Sequence, residues 1–132
     1  MIGVWSDQAS GFLVVVALFS LASLGLPMVL APLTWASWLR WPVPDADDGR
    51  NLATYFGRCL GAVISVLSVV VLANASDEAV QGELFAILIG AFSLMVAVHL
   101  WGAWRRIQPL SETLETAAWA ALLVLGLLFC PA

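Results

Sequence analysis

Four long apolar runs separated by three short polar connections set the pattern of this chain. The first run extends over about 11–39 and is interrupted by Pro27 and Pro32. One bilayer crossing needs about 20 apolar residues, so this run is expected to tilt, to kink near Pro27, or to end early and continue along the interface. The interfacial part would then be 33–41. The connection 41–52, WPVPDADDGRNL, has prolines to stop one helix and Asp47 or Asp48 to cap the next. A second run covers about 53–73 and ends in a tight turn at 74–78. Ser76 is the expected N-cap there, with Asp77 and Glu78 favouring the new helix N-terminus electrostatically. The third run covers about 80–104, and the connection 105–111, RRIQPLS, follows it. Pro109 is the breaker and Ser111 the expected cap before the last run, about 112–130. The fold class expected is all-α, a polytopic membrane protein forming a four-transmembrane-helix bundle, with 1–132 as a single membrane domain.

Composition places the chain in lipid: 62% of residues are hydrophobic, 11% are charged and the mean hydropathy is +0.98, far from the balance of soluble domains. The formal charge of −4 comes from few residues, mostly at run ends, and implies no basic partner. All five basic residues are arginine, so the polybasic clusters that bind anionic headgroups are missing and nucleic acid is not an expected partner. The N-terminal MIGVWSDQAS has no basic residue, and the apolar stretch after it exceeds the 7 to 15 residues, roughly, of a signal-peptide core. It is expected to be a mature helix.

Arginines set the orientation. Arg40 and Arg50 flank the first connection and Arg105 and Arg106 open the third, whereas the second connection and both ends have none. The positive-inside rule puts loops 40–52 and 105–111 in the cytoplasm and both termini outside. Trp35, Trp38, Trp41, Tyr55, Trp101, Trp104 and Trp119 fall toward the same side, where amphipathic rings favour the headgroup level. Only Trp5 marks the other.

Ionisable groups inside spans are the informative ones, because each costs about 2.5 to 3.5 kcal/mol at a span centre even on the lenient insertion scale. Arg58, His99 and Glu115 fall at similar depth, about 6 to 9 Å in from the cytoplasmic boundary at about 1.5 Å per residue. Glu112, Glu115 and Trp119 share a face of the fourth run, and Met95, His99 and Arg106 share one of the third. With Tyr55 these make a candidate polar layer: Tyr55, Arg58, His99, Glu112 and Glu115. It reads either as a pocket, with Arg58 holding an anion and His99 with Glu115 as proton or ligand partners, or as an Arg58–Glu115 pair that sets helix register.

Small residues make a second signal. Gly57, Gly61 and Ser65 form a GxxxG step with its extension, and Ala86, Gly90, Ser93 and Ala97 line the third run, roughly opposite His99. Such faces let helix backbones approach closely in lipid, within the bundle or against another membrane protein.

Chemistry is otherwise sparse. Cys59 and Cys130 are expected at opposite ends of the bilayer, too far apart for a disulfide, and Cys59 as a buried apolar thiol. No CxxC and no Cys and His set with zinc spacing occurs, so no structural metal is expected. One histidine excludes bis-His haem within a chain, and no GxSxG is present. No cofactor and no enzymatic activity are expected. The sequon Asn74-Ala75-Ser76 is read as a helix end.

The order of a long first helix ending in proline and tryptophan, an acidic turn, DGRNLATYFGRCLG, a short turn and a helix ending HLWGAWRR resembles small four-helix bacterial membrane proteins of uncharacterised function. The resemblance covers the chain from about Leu24, implies the bacterial plasma membrane, and carries over no site residues. Two function classes follow. One is an accessory or scaffold protein that packs against itself or a larger membrane complex, with lipid, another integral membrane protein or a second copy as partner. The other is a carrier or sensor component for a small molecule, lipid or ion that uses the cytoplasmic polar layer.

Overall fold

A computed structural model describes residues 2–131. Every regular element among them is helical. Helix α1, Ala9–Ser20, is preceded by a 3-10 turn at Ser6–Gln8 and runs through a π turn, Leu21–Gly25, into α2, Leu26–Leu30. A short α3, Pro32–Trp38, follows, and then α4, Asp47–Asn74, α5, Glu78–Arg105, and α6, Leu110–Phe129. Four stretches are long and apolar enough to cross a membrane: Ser6–Leu30, α4, α5 and α6.

The first apolar run is therefore not one helix from 11 to 39. It starts near Ser6 and breaks at Ala31, whose φ of −145° and ψ of 63° leave the helical region, as the ring of a following proline requires. Pro27 has no N–H to serve the carbonyl of Ser23, and the indole Nε1 of Trp35 donates to that oxygen at 2.9 Å. The kink expected at Pro27 takes the form of the π turn just before it, and the helix after Ala31 is the short α3, Pro32–Trp38.

Three caps also differ from expectation. Asp77, not Ser76, caps α5, its carboxylate accepting from the amide of Ala79 at 3.0 Å. Pro109 holds the N-cap position of α6 with no side-chain cap, because α6 begins one residue before Ser111. Asp47 and Asp48, expected as caps, lie inside the first turn of α4, where their charge favours the helix dipole without capping it.

The chain divides into two compact units. In unit 14–73, α4 packs on the π turn, α2 and the start of α3 through its small residues. A Cβ on Gly61 would stand 2.7 Å from the Val29 amide nitrogen and 2.8 Å from the Gly25 carbonyl oxygen. One on Gly25 would meet Ser65 Oγ at 2.6 Å, and one on Gly57 would meet Pro32 Cβ at 2.6 Å. Met28, Pro32, Trp35, Trp41, Pro44 and Gly57 line an apolar cavity of about 310 Å³ in this unit.

The other unit joins the N-terminal residues to 13 with the chain from 74 onward. Phe12 stacks on Phe129 and on Phe85, with ring centroids 4.9 and 5.7 Å apart. The amides of Gly3 and Trp5 donate to the carbonyls of Leu127 and Leu128 at 3.1 and 3.0 Å, which ties the N-terminal segment to the end of α6. Buried Gln81 donates to Ser10 Oγ at 2.9 Å and to the Ala75 carbonyl at 2.8 Å. The sequence pattern gave no sign of this contact, because Gln81 lies in the polar first turn of its run.

Candidate functional site

The α5–α6 hairpin carries the polar site. Helix α5 ends as Arg106 takes a left-handed conformation, φ 54°, and turns its amide back to the Ala103 carbonyl. Arg106 thus leaves the helix and no longer shares the Met95 and His99 face. Ile107 donates to the Gly102 carbonyl at 3.2 Å. Gln108 then reaches back: its Nε2 donates to the His99 carbonyl and to Thr113 Oγ1, both at 3.1 Å. Gly102 is buried, and a Cβ there would collide with Gln108 Oε1. Glycine at 102 is what lets this side chain latch the hairpin. Further along, Gly126 admits Ile89 at 3.3 Å from where its Cβ would be.

Above the latch, His99, Glu112 and Glu115 bring their ligating atoms within 4.8 Å of one another. His99 is 5% exposed and Glu112 9%, so both are largely removed from water. Glu115 is half-buried. Nδ1 of His99 lies 2.8 Å from the Met95 carbonyl oxygen. A carbonyl oxygen only accepts, so the proton of the ring belongs on Nδ1. In neutral imidazole Nε2 is then a bare lone pair, yet it faces Oε2 of Glu112 at 3.1 Å. Two acceptors at that distance repel unless a positive unit joins them: a second ring proton, a proton on the carboxyl, or a metal ion. The carboxylate of Glu115 adds further negative charge beside them.

Trp119 closes one side, its ring centroid 6.0 Å from that of His99 and 6.1 Å from that of Phe92. Among the described residues, its Nε1 and the Thr116 hydroxyl are buried without a hydrogen-bond partner.

Of the polar layer expected from sequence, His99, Glu112 and Glu115 come together. Tyr55 and Arg58 lie on α4 and are exposed; Tyr55 meets the Phe56 ring edge-on at 5.8 Å, and Arg58 enters no ion pair among the described residues. The buried acid with a side-chain partner is Glu112, which faces His99. Gln108, Thr113 and Thr116 were not anticipated. A polar residue in a connecting loop has no hydropathy signature that would mark Gln108 as pointing inward.

The small-residue faces separate. Gly57, Gly61 and Ser65 are used inside their own unit. Ala86, Gly90 and Ala97 are exposed on α5, as are Gly82 and Ser93, and nothing lies within 4 Å of where a Cβ on Gly82 or Gly90 would be. Cys59 is exposed and not buried as expected; both cysteines are free. No protein-family model, curated protein or solved structure matches this chain.

Proposed function

We propose that this is an integral membrane protein of the bacterial plasma membrane, with loops 40–52 and 105–111 in the cytoplasm, acting as a small carrier or sensor component that takes up a cation at His99, Glu112 and Glu115. One observation carries this: the buried Nε2 of His99 faces a carboxylate while Nδ1 is committed to a carbonyl. Such a group of acceptors in a low-dielectric span is costly unless it holds positive charge. Its place near the arginine-bearing end of the hairpin supports access from the cytoplasmic side. No covalent chemistry is assigned to it.

Reconstitution tests it. Proteoliposomes of wild-type protein, loaded with proton- and metal-sensitive dyes, are expected to show cation entry that Glu112→Gln and Glu115→Gln abolish. Equal leakage through wild type and both variants would count against a carrier.

One further observation favours an accessory or scaffold role beside this. The exposed stripe of Gly82, Ala86 and Gly90 on α5 is open to a helix from a second copy or another membrane protein. Cross-linking from a cysteine placed at Gly90 in native membranes would capture that neighbour, and an unreactive Gly90→Cys would oppose it.

A further inference from the structure

Building on the cation site proposed above, we infer that the ion is a divalent transition metal held by His99 Nε2 and the carboxylates of Glu112 and Glu115. Spacing comes first. Metal bonds to imidazole and carboxylate of about 2.0 to 2.2 Å put two ligand atoms on one ion about 3.0 to 3.5 Å apart. Nε2 of His99 and Oε2 of Glu112 already stand at 3.1 Å. Glu115, three residues on from Glu112 along the same helix, carries a carboxylate oxygen within 4.8 Å of both other ligand atoms.

The ring is also prepared for a metal. Donation from Nδ1 to a backbone carbonyl is the outer contact that orients a ligating histidine and leaves Nε2 free to bind. Charge balance favours a divalent ion: a neutral imidazole and two carboxylates carry two negative charges, which one divalent ion cancels in a single step. Donor type narrows it further. One nitrogen and two carboxylates suit zinc, manganese, iron or cobalt in the divalent state, whereas magnesium and calcium prefer all-oxygen sets. The zinc-spacing rule applied to the sequence looked for cysteine and histidine and passed over this set, whose ligands are one histidine and two glutamates on two helices.

The test uses the full chain purified in detergent and stripped with chelator. Equilibrium dialysis against Zn²⁺ or Mn²⁺ is expected to find one ion per chain. Co²⁺ is expected to give a visible ligand-field band that Zn²⁺ displaces. The Glu115 side chain makes no hydrogen bond among the described residues, so Glu115→Gln is the variant least apt to disturb folding; it should weaken binding at least about tenfold. His99→Ala should do the same, and if that variant fails to fold Glu115→Gln decides. No saturable binding by wild type, or binding undiminished in Glu115→Gln, overturns the metal site. Proton entry into proteoliposomes without metal binding overturns it too, and leaves the cation site with the proton as its ion. Metal binding without any cation entry supports the metal site and overturns the carrier.

Discussion

Oε2 of Glu112 lies 3.1 Å from Nε2 of His99 across the connection that joins α5 to α6, and both side chains are buried. Removing one member leaves the other without its hydrogen-bond partner in a site poor in water, a loss of about 1 to 3 kcal/mol for a buried polar group left unsatisfied. His99→Leu and Glu112→Leu should each lower the detergent melting temperature, and the double variant should recover much of the loss. Additive losses in a thermal-shift series would mean that the two side chains are not coupled.

Arg58 behaves differently. Being exposed and outside every ion pair among the described residues, it should tolerate Arg58→Leu within about 0.5 kcal/mol. Combined with Glu115→Leu, the effects should add. A double variant more stable than the sum of the singles would restore the Arg58–Glu115 pair expected from depth alone.

Close packing of α4 on α2 makes its own demand. At Gly61 the nearest atoms are the backbone of Val29 and Gly25, which cannot swing aside as a side chain can. Gly61→Ala should therefore destabilise by about 1 to 3 kcal/mol, the usual cost of overpacking. Gly90→Ala, with open space around it, should be neutral or slightly stabilising, since it removes glycine from a helix interior. Equal melting temperatures for the two variants would place Gly61 on an open face.

Gly102→Ala probes the site from a distance. The added methyl displaces the Gln108 amide, which bridges the His99 carbonyl and Thr113. Cation affinity should fall although no ligand has been touched, by about 10- to 100-fold if Gln108 supports the site as an outer-shell group does. Binding that matches wild type would show that the latch does not govern the site.

Much of the helical layout was legible in the chain because hydropathy alone marks a span, and arginines and prolines mark its ends. Arg58, His99 and Glu115 could be gathered at one depth by counting residues from Leu52, Arg105 and Ser111, and Glu112 joined them by sharing a helix face with Glu115. Their partners could not, because depth says nothing of rotation about the helix axis. That rotation faces Glu112 toward His99, whereas Arg58 is exposed. The π turn at Leu21–Gly25 is likewise invisible in a hydropathy pattern, since every residue in it is apolar or small. Asp77 displaced Ser76 as cap because helix α5 begins one residue later than a serine cap would require.

Arginine placement makes a prediction about topology. A reporter fused after Cys130 should report the outside and one inserted within 45–50 the cytoplasm. The same location for both would contradict an even number of spans with its loops inside.

The single histidine of the chain allows the most direct test. Protein labelled with ¹⁵N only at histidine has one imidazole, whose two nitrogen resonances report its protons and ligands without assignment by mutation. The account predicts a proton on Nδ1 and an Nε2 resonance that moves when the site takes its ion, with Zn²⁺ as the probe, while Glu115→Gln blunts the change. A ring that carries its proton on Nε2, leaves Nδ1 bare and ignores both Zn²⁺ and the Glu115 substitution would contradict it.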